Sequence, residues 1–301
     1  MKVFFFGLGY CAEALIRRTP SIEPSGTART AAHVAELRAR DVEAYAFDGV
    51  SAQAGVEDAI AEAEAIVVSI PPQEDNGPLP RFAAAMARAK ALRRIVYYST
   101  IGVYGDHGGR WVDEESATLT RSPRGLARLA EEARWRGAGR AAGAEVDVLR
   151  LPGIYGPGRD RNAIARLAAG EARRIVKPGY VSNRAHVDDI ADVARLVLER
   201  GLEGRIWNVA DDEPSPPEDV IVYAASLMGV PPPPEEPFDP KTMSPLAASF
   251  YLDNRRVKNQ KIKTRLGFSF AYPSYREGLR ALFEAGEGRR SRHTRESGQP
   301  V

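Results

Sequence analysis

The apolar run Val3-Phe4-Phe5-Phe6 ends in Gly7-Leu8-Gly9-Tyr10-Cys11-Ala12, and a helical stretch begins there. That order builds a cradle for phosphate. Glycines let the backbone close on the anion, and the helix start offers unpaired amides at its positive end. A Gly-x-Gly-x-x-Ala string alone is weak, because tight strand–helix turns also use glycine for conformation only. Standing straight after a buried strand, it points to a bound dinucleotide. Gly7, Gly9, Tyr10, Cys11 and Ala12 are the expected contacts on the phosphate side.

The next discriminating position lies at the end of the second strand, roughly 20 residues on, where an acid would bond the ribose hydroxyls of NAD. The chain reads Gly26-Thr27-Ala28-Arg29-Thr30, with no acid before Glu36. Arg29 offers a planar fork suited to a 2′-phosphate, so NADP is the expected cofactor and NAD the alternative. Unused, Arg29 would be a solvated surface side chain. Asp48, closing the third strand, either accepts from the adenine amino group or caps the following turn. Ser69-Ile70-Pro71 closes the fourth, where backbone passes the cofactor ribose; prolines there leave only carbonyls and shape for contact.

These residues need a sheet to hold them. Val42–Phe47, Ala65–Ile70, Arg94–Thr100 and Val146–Leu151 are short β-rich runs, most of them apolar as strands covered on both faces are. Helices are expected between them over about Ala31–Arg40, Arg81–Ala91 and Arg124–Arg136. The alternation implies the α/β class, a doubly wound parallel sheet with its sites at the strands' carboxyl ends. A dinucleotide-binding domain is expected at 1–153. A smaller, mainly substrate-binding lobe with some elements returning to the sheet is expected at 154–285. That lobe reads as helices at about Asn162–Ala169, Val187–Glu199 and Arg276–Ala285, with a strand at Arg205–Val209. Residues 286–301, polar and arginine-rich, are expected to form a disordered tail.

With 301 residues, 44% hydrophobic and 27% charged, the chain can bury a large core. Its 42 basic and 40 acidic residues give a net charge of +2, so neither nucleic acid nor an anionic membrane is an expected partner. Gly7, Gly9 and Glu13 interrupt the run after Lys2, which argues against a secretory signal. No segment reaches the roughly 20 apolar residues that span a bilayer. One cysteine permits no internal disulfide and suits a reducing cytoplasm. The four histidines are scattered, and no metal site is expected.

Beyond the glycine loop come Ser99-Thr100-Ile101-Gly102-Val103-Tyr104-Gly105, Leu149-Arg150-Leu151-Pro152-Gly153-Ile154-Tyr155-Gly156-Pro157-Gly158, His186-Val187-Asp188-Asp189-Ile190-Ala191 and Trp207-Asn208-Val209-Ala210-Asp211. With these strings in this order, the chain resembles the extended short-chain dehydrogenase/reductase superfamily, the NAD-dependent epimerase/dehydratase group. The resemblance implies a Rossmann domain with a smaller substrate lobe, hydride transfer at C4 of a nicotinamide, and often a homodimer. It puts Thr100 on the hydroxyl that bonds a substrate carbonyl or hydroxyl. It puts Ser99 and Pro152 beside the cofactor, Tyr104 and Tyr155 near the substrate, and His186 in a structural string. The family's acid/base tyrosine and its lysine map onto Arg124 and Arg128. A guanidinium keeps its proton, so Arg124 cannot exchange one as tyrosine does. Arg128 can still bring positive charge to the nicotinamide ribose. Such departures mark the superfamily's atypical branch.

Two readings stay open. In the first the protein is an NADP-dependent oxidoreductase or epimerase-like enzyme, with Thr100 and Tyr104 in the reaction. Arg124, Arg128 and Tyr155 then hold a small molecule, anionic or sugar-like. In the second it binds NADP(H) without turnover, as a redox sensor or partner-binding module. The two arginines could also line a solvated helix face, paired with Glu131 and Glu132.

Overall fold

A computed structural model describes residues 1–72, 76–159, 162–200 and 204–288. Its central sheet has seven parallel strands: β1 (Lys2–Phe6), β2 (Glu23–Ala28), β3 (Glu43–Ala46), β4 (Ala65–Val68), β5 (Arg94–Thr100), β6 (Glu145–Leu151) and β7 (Ile206–Asn208). The helices are α1 (Tyr10–Arg18), α2 (Ala31–Arg38), α3 (Val56–Glu62), α4 (Pro78–Arg88), α5 (Pro123–Ala142), α6 (Ala163–Ala169), α7 (Val187–Arg200), α8 (Pro217–Met228), α9 (Pro245–Ser249), α10 (Gln260–Leu266) and α11 (Tyr275–Glu284). The strands lie in the order β7-β6-β5-β4-β1-β2-β3. The winding therefore reverses between β1 and β4, which opens a crevice at their carboxyl ends. The expected α/β doubly wound sheet is what the chain forms.

β1 is apolar from Val3 to Phe6 because helices cover both its faces. Val3 and Phe5 pack into a core shared with α1, α2 and α7. Phe4 and Phe6 pack into the opposite core with α3, α4 and α5, where Phe6 lies 5.7 Å from the Phe82 ring and 6.0 Å from Trp135. Burial of such rings supplies most of the drive that holds each helix layer to the sheet. Phe6 is in register with Thr27 and Val68, and Val68 with Tyr97. β5 runs on from Tyr97 to Thr100, which pairs with Leu151 of β6. Thr100 thus stands above the level at which the glycine loop leaves β1.

The residues after Gly153 divide between two bodies. α7 packs against α1, and β7 closes the sheet beside β6. α6, α8 and α11 instead enclose a separate cluster of Ile164, Val220, Ile221, Leu279 and Leu282. α3 is a helix that the apolar pattern does not announce; Glu57 and Asp58 in its first turn suit the positive end. α5 continues past Arg136 until Gly143 takes the left-handed position that ends it (φ +68°). Residues 286–288 continue as a turn, where Glu287 accepts from Asn162 Nδ2 at 3.0 Å and from the Gly158 amide at 3.3 Å. The rest of the expected tail, 289–301, lies outside the described residues. Among the described residues no helix is long and apolar enough to cross a membrane.

Candidate active site

The glycine loop is held from both flanking strands. The Gly7 amide donates to Thr27 Oγ1 (3.1 Å) and the Leu8 amide to the Thr27 carbonyl (2.7 Å), while Ser69 Oγ donates to the Gly7 carbonyl (2.6 Å). Gly7 sits at φ +98°, and a Cβ there would lie 2.6 Å from Ile70 Cγ2 and 2.7 Å from Ser69 Oγ. Its glycine is required by the turn. Gly9 differs: it caps α1 with no side-chain hydrogen bond, and a Cβ built on it meets nothing within 4 Å. That open space faces the first turn of α1, where Tyr10, Cys11 and Ala12 begin the helix. It fits a pyrophosphate. Burial pushes the Cys11 thiol up to about 11, so it is inert beside the loop.

On the adenosine side, Arg29 is exposed at the carboxyl end of β2. Among the described residues it has no ion-pair partner. Asp48 is engaged: its Oδ1 accepts from the amides of Val50 (2.8 Å) and Ser51 (2.7 Å), and those amides, Ser51 first, hold its carboxyl below the usual range. Here the turn-capping role is visible. Ser69 shapes the loop through Gly7, while Ile70 lies half-buried and Pro71 exposed past β4.

Thr100 caps a short 3-10 turn, accepting from the Gly102 amide at 3.1 Å, which leaves its own proton available. Two neighbours depart from expectation. Ser99 is buried and donates its hydroxyl inward to Glu132 Oε1 on α5, away from the cofactor crevice. Tyr104 has no exposed surface, and its hydroxyl donates to Asn208 Oδ1 at 2.8 Å. Packing of the short turn against β7 takes it out of reach of a substrate. Glu132 in turn accepts from Arg150 Nε (3.1 Å) and Nη2 (2.8 Å), and the Arg150 guanidinium lies 4.9 Å over the Tyr104 ring. Ser99, Glu132, Arg150, Tyr104 and Asn208 form one buried polar network under Thr100. Sequence reasoning missed it because Glu132 reads as an ion-pair partner on a solvated helix face and Arg150 as one residue of a strand, with no signal that joins the two.

Arg124 and Arg128 share one face of α5 but do different things. Arg128 is half-buried, donating to the Tyr98 carbonyl (2.9 Å) and the Tyr97 hydroxyl (3.1 Å). Arg124 is exposed, its guanidinium 5.7 Å over the Phe250 ring. Neither pairs with Glu131 or Glu132, which hold Arg134 and Arg150 instead.

Pro152 is half-buried, and from Gly153 onward the chain walls a cavity of about 220 Å³. Tyr155, Arg166, Arg173, Arg184, Tyr251 and Tyr275 line it above an apolar floor of Ile154, Val220, Ile221 and Leu279. Among the described residues its lining contains no Asp or Glu. Arg184 Nη1 donates to Ser215 Oγ (2.9 Å) and Arg166 Nη2 to the Glu171 carbonyl (3.0 Å); among the described residues neither forms an ion pair, although the buried Asp211 carboxylate pulls on the Arg184 charge. Arg173 pairs with Glu236. Tyr155 donates to the Ser274 carbonyl at 3.3 Å, and burial pushes its phenol well up. These arginines carry no periodic signal, and only the fold brings them together. Among the described residues no group of three or more His, Cys, Asp or Glu could hold a metal.

His186 takes the structural role. Its Nδ1 accepts from the Asp188 amide at 3.2 Å, its ring lies 3.8 Å from Tyr272, and burial pushes its pKa down to about 4. Burial pushes neighbouring Asp189, which accepts from the Ala271 and Tyr272 amides, up to about 6. Unfolded, the two titrate near 6.5 and 3.9. Between about pH 6.5 and 4 the unfolded chain protonates His186 more readily than the fold does, so that stability is lost on acidification. Asp189 works the other way, because the fold holds its proton more tightly. Asp189→Asn should therefore make the fall in melting temperature between about pH 6.5 and 4 steeper than in wild type. Thermal melts across that range check it, and a shallower fall would contradict the sign.

The NAD dependent epimerase/dehydratase family description matches residues 51–210. The chain is similar to a 3-diazoavenalumate denitrifying reductase of Streptomyces sp, 28% identical over 64% of this chain and 66% of that protein. It thus spans just under two thirds of that relative's length. Among solved structures it resembles a functionally unknown conserved protein from Silicibacter pomeroyi DSS, with 38% identity, 95% of this chain and 99% of that one covered, and a TM-score of 0.85. It shares the fold of a UDP-glucuronic acid 4-epimerase from Bacillus cereus in complex with NAD, at 16% identity over 94% and 96% of the two chains and a TM-score of 0.71.

Proposed function

Because this chain belongs to the NAD-dependent epimerase/dehydratase family, we propose that it is an NADP-preferring oxidoreductase that reduces a carbonyl of a small anionic molecule without a tyrosine–lysine pair. The observation that carries this reading is one continuous arrangement along the sheet's carboxyl edge. The open cradle at Gly9 comes first, then the Thr100 hydroxyl. Leu151 is in register with Thr100, and the arginine-lined cavity opens at Gly153.

Gly7 and Gly9, with the amides of Tyr10, Cys11 and Ala12, would take the pyrophosphate, and Arg29 the 2′-phosphate. Ile70, Pro71 and Pro152 would wall the ribose and nicotinamide. When bound, the nicotinamide supplies a hydride to the substrate's carbonyl carbon. Thr100 donates its hydrogen bond to the carbonyl oxygen, and Arg128 holds positive charge nearby. The oxygen takes its proton from water, since a guanidinium does not release one. Arg166 and Arg184 receive a phosphate or carboxylate, with Arg124 at the rim beside Phe250, whose neighbour Tyr251 lines the cavity. The reductase name of the Streptomyces relative supports reduction, and the acidic sugar nucleotide in the Bacillus cereus enzyme's name supports a polar anionic substrate. A homodimer belongs to the same reading. α4 and α5 pack together and leave Ala83, Ala87, Leu126 and Ala130 exposed as a helical face for a second copy. Sedimentation measures it.

Arg29→Glu is expected to weaken NADP at least tenfold while changing NAD little, because a fork-and-phosphate pair becomes a like-charge pair. Calorimetric titration of both cofactors checks it; equal losses would return Arg29 to the solvated surface. The second reading, binding without turnover, is favoured by the Tyr104 hydroxyl being committed to Asn208. NADPH oxidation with a panel of carbonyl phosphates and keto acids separates the two.

A further inference from the structure

We propose that Arg159, from the second lobe, is a clamp that closes over the cofactor pyrophosphate from the side opposite the glycine loop. The proposal rests on the dinucleotide reading above and adds a binding residue that the glycine loop's sequence does not contain. Three observations carry it.

The first is contact across the crevice. Tyr10, the first residue of α1, donates its hydroxyl to the Pro157 carbonyl at 3.1 Å. A Cβ on Gly156 would lie 2.5 Å from that hydroxyl, so glycine there is what allows the second-lobe loop to come so close. The second is the cation itself. The Arg159 guanidinium lies 5.0 Å over the Tyr10 ring, at the start of the helix that frames the cradle. Burial pushes the Tyr10 phenol up to about 12, and the Arg159 charge is the largest pull the other way there and at Cys11. Arg159 thus stands close enough to be felt by Tyr10 and Cys11, the first two residues of the helix. The third is the lack of an anion. Among the described residues the Arg159 guanidinium has no hydrogen bond and no carboxylate, although its ring contact fixes where it points.

A cation facing the positive end of a helix is electrostatically unfavourable. An anion placed between the two reverses the sign of both interactions, and a pyrophosphate in the open space at Gly9 is such an anion. The loop is also anchored at its far end, where Glu287 accepts from the Gly158 amide and from Asn162 Nδ2. The guanidinium is therefore pre-positioned, which lowers the entropy cost of the contact.

The test is calorimetric titration of full-length wild type, Arg159→Ala and Arg159→Lys with NADP, NAD and ADP-ribose. All three ligands contain the pyrophosphate, and ADP-ribose lacks the nicotinamide. Arg159→Ala is expected to weaken all three by the same factor, roughly 10- to 100-fold, with Arg159→Lys recovering part of the loss. Equal melting temperatures of the unliganded proteins would show that the fold is intact. An unchanged affinity in Arg159→Ala overturns the clamp, and so does a loss confined to NADP or one that spares ADP-ribose. If wild type binds none of the three, the dinucleotide reading falls and the clamp with it.

Discussion

Gly9→Val is expected to abolish binding of both NADP and NAD while moving the melting temperature by only about 2–4 °C, the cost of a poorer helix cap. The backbone at Gly9 is extended (φ −112°), a conformation open to any residue, and a Cβ there meets nothing of the protein within 4 Å. A valine would instead occupy the volume that the pyrophosphate needs, beside the first-turn amides. Gly7→Val is the control with the opposite pattern. Its φ of +98° and the 2.6 Å approach of Ile70 strain the fold itself, so it should lose stability as well as ligand. Calorimetry alongside thermal melts separates the two variants. Retained dinucleotide binding by a folded Gly9→Val protein would mean that the glycine loop is only a turn.

Arg150→Met should be the most destabilising single change near the site, costing about 3–5 kcal/mol. Arg150 and Glu132 are 3% and 4% exposed, so removing the guanidinium leaves a carboxylate that water cannot reach. The Glu132→Leu/Arg150→Met double variant should be less damaging than Arg150→Met, because no charge is then stranded. Urea unfolding midpoints measure both. A single variant as stable as wild type would mean that Glu132 is neutralised in another way. The same pair anchors Ser99, next to Thr100, so the loss should reach the site as well as the core.

The sequence alone determined the fold class, and the reason is local. Val3–Phe6 and Ala65–Val68 are apolar throughout, as strands buried on both faces must be, and a glycine turn marks where the first meets its helix. The tight glycine turn was legible for the same reason: Gly7 through Ala12 are consecutive, and the left-handed conformation at Gly7 (φ +98°) is a local property of the backbone. The place of Arg29 at the end of β2 was legible by its distance from that loop. Only the tertiary structure decided what lies across the crevice from these residues. Ser99 and Tyr104 look like site hydroxyls in their string, yet the packing of α5, β6 and β7 turns both inward, onto Glu132 and Asn208. Arg159, Arg166 and Arg184 look like dispersed surface charge, yet the second lobe aims the first at Tyr10 and gathers the other two in one cavity. Periodicity records which face of an element is covered. It carries no record of which distant element supplies the cover, and the charge chemistry of this site is set there.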